Sequence, residues 1–416
     1  MQGHELEVWM DTRFLGQTPI KVGFLKHDRG HIRFNYDEEW LKLPSSFDID
    51  PDLTLDHSVF HPDPAKGNFG VFLDSSPDRW GQTLMKRREA MEAKDEGRKA
   101  KIFYAWDYLI GVQDQTRQGA LRFKYPGTEV FLSSHQLSAP PAIQLAELES
   151  IALELTSKKI DDLDRLRNWL SVLVAPGSSL GGARPKANFT QTDGTLWIAK
   201  FPSKDDQRDM GAWEMLAYTL AKKAKIELPN AKLLHLGQSH RTFSVQRFDR
   251  LNHQRNHYAS AMTMLKQTNS DESSYLDIAQ FIMLRGARGF VKEDLVQLFR
   301  RVVFNLATSN RDDHLRNHGF ILDVSGWRLS PAFDINPTIE KAEHTLSLDV
   351  SDHLPSLDSL ISTAEYYELT IDEANTISQE IIQIVKAWES LAQKLKIAKG
   401  DIELMRPAFM TDWEPH

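Results

Sequence analysis

The sequence predicts an α/β (α+β) protein of two lobes, with a β-rich N-terminal subdomain and a helical C-terminal lobe. Three observations lead there. Short segments of alternating apolar and polar residues fill the front of the chain. A Gly/Ser-rich loop, a two-strand hairpin and an amphipathic helix follow one another in the middle. From Tyr275 onward the apolar spacing is helical, interrupted by a β-like stretch at residues 319–329.

At the front, Leu6-Glu7-Val8-Trp9-Met10 alternates, and residues 21–25 and 31–36 continue as strands after turn signals. Residues 44–64, rich in Pro and Asp, read as loop. Residues 80–101 read as a charged helix with apolar positions at Leu84, Met85 and Met91. Pro140-Pro141 interrupts the chain, and helices are expected over 143–158 and 161–174. The Gly/Ser loop runs from Pro176 to Lys186. Strands over 187–191 and 195–201 flank an Asp193-Gly194 turn. A helix over 209–225 carries Ala212, Trp213, Leu216, Ala217 and Leu220 on one face. Strands follow over 231–236 and 242–248, and a long helix is expected over 371–395.

The 416 residues suit two or three domains, and a 41% apolar share can build a large core. Fifty Lys and Arg against 58 Asp and Glu give a formal charge of −8, which argues against direct coating of nucleic acid. Cysteine is absent, so disulfides and thiolate metal sites are excluded. The polar, acidic first ten residues lack the pattern of a signal peptide, and no apolar run approaches the ~18 residues that cross a bilayer. The expectation is a cytoplasmic protein without a membrane partner.

Phosphoryl transfer needs a carboxylate for the attacking hydroxyl, oxygens for a divalent cation, a lysine on the phosphates and a loop of backbone N–H groups. The chain supplies candidates in that order. Gly177-Ser178-Ser179-Leu180-Gly181-Gly182-Ala183-Arg184-Pro185-Lys186 is a loop through which backbone can approach phosphates, without the ending of a Walker A loop. Lys200 shares a strand face with Ile198, and Glu214 on the next helix is its candidate ion-pair partner. Residues 242–250 would form a hinge, with Gln246 and Phe248 as candidates to meet an adenine. Arg311-Asp312 precedes Asn317 in the R-D-x-x-x-x-N pattern of a kinase catalytic loop. Asp334, in Phe333-Asp334, stands where a second metal carboxylate is expected. His314 and His318, four residues apart, could share a zinc ion on a helix, but no third ligand is evident, and His314 is placed in the catalytic loop instead. Each feature alone is also what an ordinary loop, a surface lysine or a β edge provides. Their order along the chain is the argument for a two-lobed protein-kinase-like fold.

The loop from Ser178 to Lys186, the stretch Asn310-Arg311-Asp312-Asp313-His314-Leu315-Arg316-Asn317-His318-Gly319, and Pro331-Ala332-Phe333-Asp334 resemble HipA-type Ser/Thr kinases, the toxins of bacterial toxin–antitoxin modules. The front resembles that family's N-terminal subdomain, with Phe72-Leu73-Asp74-Ser75-Ser76-Pro77-Asp78-Arg79-Trp80-Gly81 as the typical stretch. The resemblance implies Asp312 as catalytic residue and Asn317 and Asp334 as Mg²⁺ ligands. It implies Gly181, Gly182, Ala183, Arg184, Pro185, Lys186 and Lys200 at the phosphates of ATP, and Gln246, Arg247 and Phe248 at adenine. His314 and Phe333 are counted with the nucleotide-binding residues. It further implies autophosphorylation on Ser179, with Ser178 as second choice, a protein substrate of the translation machinery such as an aminoacyl-tRNA synthetase, and a HipB-like helix-turn-helix antitoxin through which DNA is met indirectly. The glycine loop departs from the best-known member, so substrate identity does not carry over.

The expected parts are a β-rich subdomain over 1–135, a nucleotide-binding portion over 140–250 and a helical catalytic lobe over 251–416. Two other readings stay open: a small-molecule phosphotransferase, and a catalytically silent co-repressor that binds an antitoxin.

Overall fold

The computed structural model describes residues 4–132, 139–156, 184–237, 240–252, 254–349 and 353–413. The expected helix over 161–174 and the loop residues Ser178, Ser179, Gly181, Gly182 and Ala183 lie outside them. The chain forms two compact units, and the boundaries do not follow the three expected parts. The first unit contains residues 1–204 and 246–268; the second contains 205–245 and 269–416.

The first unit opens with a four-stranded antiparallel sheet. Its strands are β1 (His4–Met10), β2 (Ile20–Asp28), β3 (His31–Tyr36) and β4 (Leu121–Lys124), in the order β3-β2-β1-β4. Alternation puts Leu6, Val8 and Met10 of β1 in the core, fully buried. Arg29 and Gly30 both take positive φ, 48° and 88°, which makes the tight two-residue turn joining β2 to β3. Gly23 in β2 is required by crowding: a Cβ there would stand 2.3 Å from the Asn35 carbonyl and 2.7 Å from the Phe34 ring. Phe34, Phe69, Phe72 and Phe123 close the core in tilted and edge-on contacts. Residues 44–64 form the irregular segment expected, tied down where Phe60 pairs with Phe34 and where the Tyr36 hydroxyl donates to Leu53 O at 2.8 Å.

The charged helix spans Arg79–Asp95, shorter than expected. Gly97 (φ 63°) ends it, with Arg98 N bonding back to Ala93 O at 2.9 Å, a Schellman closure. Beyond helix Leu145–Thr156 comes the hairpin of β5 (Lys186–Thr190) and β6 (Leu196–Lys200). The Asp193 carboxylate accepts from Thr195 N at 2.9 Å, and Gly194 takes φ 81° to make the turn.

The second unit contains the hairpin Ala231–Leu234/Thr242–Gln246 as far as Val245. Its helix Met210–Lys223 is capped by the Asp209 carboxylate, which accepts from Ala212 N at 3.1 Å. Helix Val291–Ala307 is central. It buries Leu295, Leu298, Phe299, Val302, Val303, Phe304 and Leu306. Helix Tyr275–Arg285 packs on it, as does Ile371–Val385. The helix expected over 371–395 is two helices, Ile371–Val385 and Trp388–Lys394. The β-like stretch is the hairpin Gly319–Asp323/Gly326–Leu329. Among the described residues no helix is long and apolar enough to cross a membrane.

Candidate catalytic loop and nucleotide-binding elements

The end of helix Val291–Ala307 creates the loop that carries Asp312. Ser309 takes the left-handed conformation (φ 49°), Asn310 N bonds to Asn305 O at 2.9 Å and Ser309 N to Leu306 O at 3.2 Å. This is a Schellman closure with serine where glycine is usual, a strain of about 1 kcal/mol. The chain is turned out of the helix at that point. Asp312 then faces solvent, its side chain 67% exposed.

Its neighbour Asp313 does the opposite. That carboxylate is buried and accepts from Tyr275 Oη at 2.8 Å and Asn305 Nδ2 at 2.7 Å, and pairs with His318 Nε2 at 2.7 Å. Burial pushes its pKa up, but the facing His318 and the hydrogen bonds from His318 and Tyr275 hold it below the ordinary value. Leu315 N donates to Ser270 Oγ at 3.0 Å, and Asn317 N to His314 O at 2.8 Å, closing a 3₁₀ turn over Leu315–Asn317. Asn317 Nδ2 donates to Asp312 O at 3.1 Å, so the two expected loop residues are brought together. His318 precedes the strand Gly319–Asp323, and its Nε2 faces Asp313, so the pair His314 and His318 is not arranged on a helical face.

The segment after the hairpin returns to this loop. Asp334 has φ 58°, a conformation that costs about 1–3 kcal/mol for a residue other than glycine and collects at functional sites. Asn336 Nδ2 reaches Asp334 Oδ1 at 3.4 Å, while Asn336 N donates to Asn310 Oδ1 at 3.4 Å. Phe333 and Asn317 line the same small interior pocket, with Asp313 and His318. Further along, Thr338 N donates to Ser309 O at 3.1 Å and Thr345 N to Arg311 O at 3.1 Å. The Arg311 guanidinium donates to Lys341 O at 2.5 Å, and Lys341 Nζ contacts Asp312 Oδ1.

Could this site hold Mg²⁺? Among the described residues no three His, Asp or Glu side chains gather as metal ligands. Asn317 Oδ1, however, is buried without a hydrogen-bond partner among the described residues. A buried neutral amide oxygen left open in this way fits a cation that takes one or two protein oxygens and completes its shell with water and phosphate.

In the first unit, Arg184, Pro185, Lys186 and Lys200 sit at one end of the hairpin, with Lys186 directly opposite Lys200. Phe201 N donates to Pro185 O at 2.9 Å. Lys200 is half-buried; Lys186 is buried, its ammonium 2.8 Å from Asp78 Oδ2. Asp78 also caps helix Arg79–Asp95 through Gly81 N at 2.8 Å, and Trp80 Nε1 donates to Lys186 O at 3.1 Å. The sequence stretch 72–81 therefore brackets the strand of Lys186. Sequence reasoning missed this ion pair; the Asp78-Arg79-Trp80 motif was its signal.

Gln246, Arg247 and Phe248 lie at the other end of the hairpin, where Arg247 N donates to Leu196 O at 2.9 Å. With β-strand rise, that end is about 14 Å from Lys186. Gln246 and Arg247 line a pocket of about 480 Å³ with Gln115, Thr190 and Leu196. The Arg247 guanidinium itself turns inward, to Asp249 at 2.8 and 2.5 Å and to Thr116 O at 2.5 Å, and so serves the interior. Phe248 packs on Tyr258. The Asp249 carboxylate also accepts from Gly119 N at 2.8 Å, and the facing Arg247 and Arg250 hold its pKa far below the usual range despite burial.

Fold and loop define a class: an α/β protein of two compact units, with D-x-x-x-x-N after a buried helix and a second aspartate after a β hairpin. The chain belongs to the HipA-like family: the HipA-like C-terminal domain matches residues 178–388 and the HipA N-terminal domain matches residues 6–99. It is similar over its length to a chain of the Shewanella oneidensis MR-1 toxin–antitoxin complex of HipA, HipB and operator DNA. That match has a TM-score of 0.69 and 16% identity, covering 98% of this chain and 95% of that one, and concerns the fold. A curated relative, "Putative kinase Y4dM" of Sinorhizobium fredii, is 26% identical over 227 residues, 49% of this chain and 54% of that protein. The chain thus spans about half the length of that relative.

Proposed function

We propose that the chain is an ATP- and Mg²⁺-dependent serine/threonine protein kinase that acts as a HipA-type toxin. The observation that carries this is the pair of adjacent aspartates: Asp313 is anchored in the interior while Asp312 is presented to solvent, with Asn317 bonded to its backbone. Asp312 would orient an acceptor hydroxyl and take its proton. The hydroxyl oxygen bonds to the γ-phosphorus, the bond from that phosphorus to the β–γ bridging oxygen breaks, and ADP leaves. Asn317 and Asp334 would hold Mg²⁺, which neutralises phosphate charge when bound. Arg184, Lys186 and Lys200 supply cationic groups at the loop end of the hairpin, and Gln246 to Phe248 would receive the adenine.

The family match and the fold of the HipA–HipB complex support a helix-turn-helix antitoxin as partner, with DNA met through it. The acceptor is proposed to be a protein of the translation machinery, and Ser179, or else Ser178, to be phosphorylated by the chain itself. A dianionic phosphate there would be repelled by the phosphates of ATP.

The test is radiolabel transfer from Mg²⁺-ATP to the chain and to proteins of a bacterial lysate, with Asp312→Ala beside the wild type. Wild-type transfer that Asp312→Ala abolishes, with label on Ser179, is the expected result. No transfer by the wild type overturns the kinase reading and favours a silent antitoxin-binding role.

A further inference from the structure

The segment that follows Asp334 does more than pass the catalytic loop. Five contacts fasten it there: Thr338 N to Ser309 O, Thr345 N and Oγ1 to Arg311 O at 3.1 and 3.0 Å, the Arg311 guanidinium to Lys341 O, and Lys341 Nζ to Asp312 Oδ1. Arg311 is therefore held through both its backbone and its side chain, and its carbonyl and the Lys341 carbonyl share one clasp. The clasp delivers a single cation to the one carboxylate that the loop exposes.

Both side chains of that pair are open to solvent, 46% for Lys341 and 67% for Asp312. An exposed ion pair of this kind contributes about 0–1 kcal/mol to stability, so stability gives it little purpose. Its position does. Lys341 occupies one oxygen of Asp312 and leaves the other for an acceptor hydroxyl. A hydroxyl held there attacks a phosphorus within a few ångströms, so the ammonium sits where negative charge on the transferred group must be met. Of the arginines in the loop, Arg311 turns its guanidinium to the Lys341 carbonyl and Arg316 is exposed four residues beyond Asp312.

We propose that Lys341 is a positioning residue for phosphoryl transfer: it fixes the rotamer of Asp312 and places a cation beside the transferred group. This rests on the kinase reading above. Thr345, four residues on, supports it, its hydroxyl accepting from Lys341 Nζ at 3.5 Å.

The experiment measures initial rates of label transfer against ATP concentration for the full chain, as wild type, Lys341→Ala and Lys341→Arg, with thermal melting of each. Lys341→Ala is expected to lower kcat roughly 100-fold, with KM for ATP and the melting temperature unchanged. Lys341→Arg, which keeps the charge, should recover most of the rate. Undiminished kcat in Lys341→Ala overturns the proposal, as does a rate loss matched by a lower melting temperature. A faster Lys341→Ala would make the contact a brake and overturn it too. A wild type without transfer overturns the parent reading and this one with it, whereas an active wild type with an indifferent Lys341 overturns only the role of Lys341.

Discussion

Asp312 and Asp313 share a backbone and little else: one carboxylate is exposed and among the described residues meets only Lys341, the other accepts from a tyrosine, an asparagine and a histidine. Removing each should have opposite consequences. Asp313→Ala leaves three interior donors facing an apolar methyl, at about 3 kcal/mol or more. Asp312→Ala removes an exposed group and should leave stability within ~0.5 kcal/mol. Urea unfolding of the two variants checks this; equal midpoints would contradict the division of labour. The residue-level reading of the sequence went as far as local spacing allows. Arg311-Asp312 and Asn317 were legible because their relation spans five positions. The clasp by Lys341 was not, because it joins residues 29 apart through a backbone conformation that no local pattern encodes.

At the scale of elements, helix Arg79–Asp95 and strand β5 act as one object. Asp78 serves both as helix cap and as counter-ion to Lys186, with side-chain exposures of 2% and 6%. Asp78→Ala should therefore cost more than a lost cap alone, roughly 1 kcal/mol, because it also removes a buried counter-ion of Lys186. Asp78→Asn, which keeps a capping oxygen, should fall between. Melting temperatures rank the three proteins, and an Asp78→Ala loss no larger than that of a typical cap would show that the ion pair contributes nothing. The hairpin β5–β6 and the helix Met210–Lys223 were legible from alternation, an Asp-Gly turn and i, i+3, i+4 spacing. Strand β4 was not: its four residues pair with β1 across more than a hundred positions, and only tertiary register makes them a strand.

For the whole molecule, two histidines predict an acid response. Burial lowers the pKa of His257 to about 3 and of His344 to about 4. Unfolded, each titrates near 6.5. Between those values the unfolded chain binds more protons, so stability falls as pH drops below about 6.5. Asp50, raised to about 6 by burial, works the other way between about 4 and 6, one group against two. The melting temperature at pH 5 should lie a few degrees, roughly 2–5 °C, below that at pH 7, and His257→Gln should shrink the gap. Identical melting at both pH values would refute this. The legible part of the large-scale fold was the β-rich front and helical rear. Hidden was the return of residues 246–268 to the first unit, where Arg247 and Arg255 meet Asp249 and Asp114 and where Ser260 bonds Asp74 at 2.7 Å.

That return has a consequence for anyone who would take the molecule apart. The polypeptide leaves the first unit after Lys204, comes back at Gln246 and leaves again after Thr268. A gene cut at residue 204 yields a front fragment whose Asp74, Asp114 and Gly119 have lost the partners encoded far downstream. A cut at any single point therefore leaves at least one of the two units without part of its own chain.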